Sequence, residues 1–322
     1  MKQNKLIISV AILFLLAIVA FMTWDFFGDT KPEKNVYEYN LDNYNKVDTN
    51  LIDYTEIQQI NPGLEFLQCV SIDSDDNIYV TGDNVINIYN SAGILINEIL
   101  TNSDATCITV DQDNNIYMGA KDHVEIWNTN GSRKSKWEPM NEKSIITSIA
   151  ISDSNVFVAD AGNKIIYHYN TNGEFINEIG RKDSIAGIQG FVIPSPYFDV
   201  AIGRDGEIWA VNSGRHQFEA YKPDGRLISS WKKTSMGLDG FSGCCNPSHI
   251  ALLSDGSFVT SEKGLVRIKI HKPNGEFSSV VAAPNQFEKG TRGLDLAVDS
   301  KDRIIVLDPK KGIIRIFQHK DN

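Results

Sequence analysis

Phe241-Ser242-Gly243-Cys244-Cys245-Asn246-Pro247-Ser248-His249 gathers more reactive side chains than any other segment of this 322-residue chain. Two adjacent thiols with an imidazole four positions on supply soft donors of the kind that hold zinc or copper. If Cys69 and Cys107 face the same site, four sulfurs and one imidazole converge there. The Cys-Cys-x-x-x-His spacing is not a standard zinc pattern, and structural readings stand beside the chemical one. Cys69 and Cys107 read as small residues packed in narrow strands. Four cysteines also allow three disulfide pairings, and Asn246-Pro247 reads as a loop-shaping step.

A second candidate set emerges from repetition. Each unit opens with a short apolar strand ending near Asp or Ser, then a polar turn and an aromatic, β-branched strand. A polar loop, a third strand, an Asn-Gly-like turn and a fourth strand complete it. The first apolar residue of the second strand marks the register: Ile78, Ile116, Val156, Ile208, Phe258 and Ile304, at intervals of about 40 to 50 residues. Asn172-Gly173, Asp224-Gly225 and Asn274-Gly275 fall between third and fourth strands, each a hairpin signal. Six marks with no helical period between them predict an all-β fold, a six-bladed β-propeller of four-stranded antiparallel blades. The sixth unit lacks its fourth strand, and residues 51–60, ahead of the first unit, are positioned to fill the gap.

Four residues before the end of each first strand stand Cys69, Cys107, Ser148, Asp199, Ile250 and Asp295. Innermost strands line the channel of a propeller, so this register predicts a ring at one channel mouth. Loops between second and third strands enter the same face. The candidate ligand-binding residues are therefore Asp160, Asp199, Asn212, Arg215, His216, Glu262, Lys263, Asp295 and Asp308. The candidate metal set is Cys244, Cys245, His249, Cys69 and Cys107. Asp73, Asp75, Asp76, Asp111 and Asp113 lack the twelve-residue calcium-loop spacing and read as turn residues. Gly-x-Ser-x-Gly, His-Glu-x-x-His, phosphate-loop and dinucleotide fingerprints are absent from the sequence.

The units resemble NHL repeats, which carry a Val-x-Asp-x-x-Asn-x-Ile pattern. Val158-Ala159-Asp160-Ala161-Gly162-Asn163-Lys164-Ile165 matches it throughout; Val306-Leu307-Asp308 with Ile313 to Ile316 matches in part. Val211-Asn212 and Ser261-Glu262-Lys263 depart from it. The resemblance covers roughly residues 60–320 and implies a scaffold. Its members serve as protein-binding modules, sensors behind a membrane helix, RNA binders and metal-assisted lyases.

The first residues have a different character. Lys2 and Lys5 precede an uncharged run from Leu6 to Trp24, about 28 Å as a helix against a hydrocarbon core of about 30 Å. Trp24, Phe26 and Phe27 read as an interfacial aromatic belt. Residues 1–24 are predicted to be an uncleaved membrane anchor, 25–45 a polar tether and 46–322 the propeller. The early lysines place the propeller on the extracytoplasmic side. With 41 acidic against 31 basic residues, net charge −10, nucleic acid is not an expected partner. The leading functional expectation is a membrane-anchored binding or sensing module for a protein, peptide, glycan or small-molecule ligand. A metal- or thiol-dependent enzyme or electron carrier around Cys244, Cys245 and His249 is the alternative, and a purely structural scaffold is a third.

Overall fold

The structure, a computed structural model, describes residues 2–27 and 44–321. The chain divides into two units, residues 1–41 and 42–322. In the first, Lys2–Phe27 form one helix, α1. The apolar side chains described on it, Leu13, Phe14 and Phe21 among them, are exposed. Among the described residues no helix is long and apolar enough to cross a membrane. The expected span from Leu6 to Trp24 extends past the described side chains, which are those of residues 10 and 12–23, and most of the 25–45 tether lies outside the described residues.

Among the described residues the second unit contains 24 strands in six antiparallel four-stranded sheets. Five are consecutive in sequence: β2–β5 (residues 67–100), β6–β9 (107–136), β10–β13 (146–179), β14–β17 (200–232) and β18–β21 (249–282). The sixth joins β22–β24 (295–319) to β1, Tyr54–Ile60, from the start of the unit. β1 pairs with β24, Tyr54 opposite His319 and Ile60 opposite Ile314. This is the closure predicted from the missing strand, although a short helical turn at Thr49–Leu51 delays its start. Closure covers an edge that would otherwise offer unpaired backbone groups to another chain.

The inner strands are β2, Leu67–Ile72; β6, Cys107–Val110; β10, Ile146–Ser152; β14, Val200–Ile202; β18, His249–Leu252; and β22, Asp295–Val298. They contact one another in that order around the ring, and β22 returns to β2. All six register residues of the second strands are buried, as expected of β-branched and aromatic side chains pressed between neighbouring blades. The hairpin glycines serve this packing directly. Gly173 and Gly275 have φ of +83° and +82°, and a Cβ on either would meet the indole of Trp137 or Trp231 from the preceding blade, at 2.7 and 2.6 Å. Each turn therefore needs glycine for its backbone and for the aromatic lid across the blade junction.

The third strands repeat a second device. Asn87, Glu125, Tyr167, Glu219, Lys269 and Arg315 occupy equivalent positions, opposite Val80, Met118, Val158, Ala210, Thr260 and Val306. Several tie down an incoming interblade loop. Lys269 Nζ donates to the carbonyls of Leu238 and Gly240, at 3.1 and 2.5 Å. Arg267 donates to that of Gly237 at 2.8 Å. Glu262 neutralises both, 2.8 Å from Lys269 Nζ and 2.7 Å from Arg267 Nε. Burial holds the Lys269 ammonium down to about 8 against the pull of Glu262. This buried cluster fixes residues 233–248, the loop that carries the vicinal cysteines.

Candidate functional site

Strand register decides which side chains meet at the channel mouth. Cys69 lies opposite Thr81, Cys107 opposite Gly119, Ser148 opposite Ala159 and Asp295 opposite Leu307. In each case the partner is the third residue after the register mark. Asp199 takes the same place in the fourth blade, where its carbonyl accepts from the Val211 amide at 3.0 Å. In the fifth blade the residue opposite Ser261 is His249. The sequence count placed Ile250 there, and the structure corrects it. The turn after β18 closes from Leu253, whose amide bonds to Ser257 O, so β18 stops at Leu252, one residue earlier than a count from Ser254 requires.

The ring is thus Cys69, Cys107, Ser148, Asp199, His249 and Asp295, small in three consecutive blades and ionisable in the other three. Together the inner strands enclose a cavity of about 140 Å³. His249 Nδ1 lies 3.3 Å from Asp295 Oδ1 and 3.8 Å from Asp199 Oδ2. Both carboxylates also staple blades together. Asp199 Oδ2 accepts from the Ile250 amide at 2.7 Å, and Asp295 Oδ2 from the Val70 amide at 2.8 Å. Ser148 Oγ does the same for Val200 N at 3.3 Å. Burial lifts the Asp295 carboxyl above the usual carboxylate range; His249 pulls it back and Asp199 adds to the lift. Two acids and one imidazole in so small a polar space form a site whose charge responds to whatever enters it.

A second polar group adjoins the imidazole. The Tyr197 ring meets His249 edge-on at 5.7 Å between centroids, and Lys263 Nζ sits 4.5 Å from the centre of the Tyr197 ring. Lys263 also donates to Ser195 Oγ at 3.2 Å. Beyond it stand Cys244 and Cys245, their sulfurs 3.1 Å apart, the first exposed and the second buried. Burial pushes the Cys245 thiol up, but hydrogen bonds from Ser195, Cys244 and Lys263 outweigh it and leave the thiol below its ordinary value. Pairing with Cys245 raises the Cys244 thiol. Ser195 and Tyr197 belong to the long connection into β14, where Pro194 and Pro196 flank Ser195.

The other expected site residues are placed elsewhere. Asp160 is fully buried, and its Oδ1 accepts from the amides of Ile145, Gly162 and Asn163 at 2.9 to 3.1 Å. Asn212 is held by the Val192 amide and by Glu219, both at 2.8 Å. Asp308 receives the Lys311 amide at 3.1 Å and faces Arg315 at 3.6 Å. Glu262 belongs to the Arg267–Lys269 cluster. Arg215 bonds to Gln189, and His216 bridges Thr234 Oγ1 at 3.1 Å and the Gly243 carbonyl at 2.5 Å. These groups build the loops of the face, and only Asp199, Asp295 and Lys263 join the cluster around His249. The acids near the opposite face cap turns, Asp73 taking the amides of Asp75 and Asn77 at 2.9 Å.

The donors do not fit zinc or copper. Among the described residues no group of three or more His, Cys, Asp or Glu side chains could hold a metal ion. The four sulfurs and the imidazole expected to converge are divided between two settings. Cys69 and Cys107 share the ring and its cavity with His249, and burial pushes both thiols up. Cys244 and Cys245 belong to the loop outside.

No family model matches the chain, and no curated protein matches its sequence. Solved structures share the fold. Selenomethionine-substituted virginiamycin B lyase from Staphylococcus aureus superposes with a TM-score of 0.59 at 13% identity, covering 82% of this chain and 99% of that one. A catalytically inactive variant of virginiamycin B lyase from the same organism, with quinupristin, gives 0.54 at 17%, covering 78% and 80%. A streptogramin B lyase structure gives 0.58 at 11%, covering 83% and 98%. At these identities the likeness is one of fold, and this chain is a six-bladed β-propeller resembling streptogramin B lyase in architecture.

Proposed function

We propose that this protein is a membrane-anchored, extracytoplasmic binding or sensing propeller whose channel mouth seats a small cationic group, free or carried on a peptide. The observation that carries this reading is the grouping of Asp199, His249 and Asp295 at one cavity, with the two carboxylates largely buried. A cation entering between them would add a charged partner to carboxylates that already meet the imidazole and backbone amides. The anchor rests on the uncharged run from Leu6 to Trp24 and on the exposed apolar side chains of α1.

A thermal-shift series with alkylammonium and alkylguanidinium ions tests the seat. At least one ion should raise the Tm of the wild-type protein and leave an Asp199→Asn/Asp295→Asn variant unmoved. Equal response of the two proteins to every ion counts against the site. Cell fractionation tests the anchor: the full chain should sediment with membranes and be cleaved by protease added outside. Recovery in the soluble fraction would overturn it.

One observation favours a second reading, an enzyme that moves a proton at His249. Two carboxylates facing Nδ1 would fix the tautomer and make Nε2 the basic nitrogen. Incubation with quinupristin or virginiamycin B, followed by mass spectrometry, separates the readings. Consumption lost in His249→Ala supports the enzyme, and unchanged compounds favour the binding module.

A further inference from the structure

The channel mouth does not use the vicinal thiols, although they are held with care. Asn246 Nδ2 donates to the carbonyls of Ser242 and Lys263, at 2.7 and 2.9 Å, and the Lys263 amide returns a bond to Asn246 Oδ1 at 2.9 Å. These bonds lock the Cys244–Cys245 segment against the 261–268 loop. Lys263 in turn points its ammonium toward Ser195, Tyr197 and the Cys245 thiol. One sulfur therefore faces solvent, and the other lies beneath it beside a fixed cation, which favours thiolate there.

We propose that Cys244 and Cys245 form a thiol–disulfide exchange site, in which exposed Cys244 takes up a low-molecular-weight disulfide of the glutathione class and buried Cys245 resolves the adduct. In the first step Cys244, as thiolate, attacks one sulfur of R–S–S–R. A Cys244–S–S–R bond forms, the R–S–S–R bond breaks and one RSH leaves with the proton. In the second step the Cys245 thiol gives its proton to solvent and attacks Cys244 Sγ as thiolate; a bond forms between the two protein sulfurs, the bond from Cys244 Sγ to the external sulfur breaks, and RS⁻ departs and takes up a proton from solvent as the second RSH. Two protein thiols are oxidised and one external disulfide is reduced to two thiols, so electrons balance. A bridge between adjacent residues departs from ordinary disulfide spacing, so an external thiol readily reverses it. Lys263 is the positioning residue that holds Cys245 ready for the second step.

The test is exposure of the folded full chain to excess oxidised glutathione, followed by intact-mass analysis and peptide mapping. The wild-type protein should lose two hydrogens within the peptide carrying residues 244 and 245, with little lasting adduct. Cys245→Ser should accumulate one glutathionyl group on Cys244. Cys244→Ser should react about tenfold more slowly or worse, because its remaining loop thiol is shielded. Lys263→Met should form the adduct at the wild-type rate and resolve it about tenfold more slowly, which a merely structural lysine would not do. Cys69 and Cys107 stay unmodified throughout and report that the propeller remains folded. Persistence of both loop thiols in the reduced form under these conditions would overturn the proposal. So would modification of Cys245 in Cys244→Ser at the wild-type rate.

Discussion

His271 shows how a single buried side chain sets a pH limit. Its ring packs between Trp231 and Phe241, with centroids at 5.7 and 5.0 Å, and neither nitrogen finds a hydrogen-bond partner among the described residues. Burial, with Lys269, Arg267 and Lys233 adding to it, pushes the imidazole down to about 3 from its ordinary 6.5. The unfolded chain therefore takes up a proton near pH 6.5 that the folded chain refuses. This contribution to stability is whole above that pH and falls away as pH drops through the window toward 3, by about 1.4 kcal/mol per unit. His271→Phe should flatten the decline between pH 6.5 and 5 by about 2 kcal/mol in urea unfolding. An unchanged slope would show that the folded protein accommodates imidazolium at this position.

Asp295 does two tasks at the same scale, and they are separable. Its Oδ2 receives the Val70 amide across the closing blade junction, while Oδ1 faces His249. Asp295→Ala should cost about 1 to 3 kcal/mol, because a buried amide loses its acceptor. Asp295→Asn retains an acceptor oxygen and should cost less, while still weakening any cation at the mouth. Urea denaturation of the two variants checks the order.

Among the elements, the 233–248 loop depends on a charge cluster. Glu262 neutralises Arg267 and Lys269, and the two cations hold four loop carbonyls. Glu262→Gln leaves two buried cations without their counter-ion, at a cost of about 3 to 5 kcal/mol. The same change should increase hydrogen exchange over residues 236–245 before it affects the other blades. Global unfolding without that local signature would contradict the assignment of this cluster to the loop.

The strands were the legible part of this molecule. The six buried register residues are core requirements and the hairpin glycines backbone requirements that recur from blade to blade, and β1 follows from the unit that stops one strand short. The mouth was legible only in part. Counting back from the turn places Asp199 and Asp295, and the same count fails in the fifth blade because Leu253, and not the neighbouring Ser254, closes the turn there. Counted that way, His249 falls one place short of the ring. Asp160, Asn212 and Asp308 illustrate the other limit. A carboxylate or amide in a loop has the same appearance in sequence whether it faces a ligand or a neighbouring backbone amide. Tyr197 and Ser195 carry no repeat signal, since the connection that holds them occurs once.

At the scale of the molecule, closure is the dominant constraint. β1 and β24 join the beginning of the propeller to its end, and Arg315 pairs with Glu56 across that seam at 2.6 Å. A chain beginning after Ile60 would expose the β24 edge along its length. It should elute as aggregates in size-exclusion chromatography, and adding a peptide of residues 50–61 should restore a monomer. A stable monomer without the strand would contradict the role given to closure. The closed ring also places three ionisable residues in adjacent blades and three small ones opposite, giving the mouth a polarised rim. A larger groove of about 760 Å³ among the turns of the second and third blades brings no comparable grouping of acid and imidazole together.

The central claim is that this rim is a seat for a cation, and side-chain NMR of the histidines examines it most directly. During titration with n-butylammonium, the His249 ring resonances should move and saturate, while those of His123, His168 and His271 stay in place. The movement should vanish in Asp199→Asn/Asp295→Asn. A His249 signal that does not respond, or one that drifts in step with the other histidines, would contradict the account.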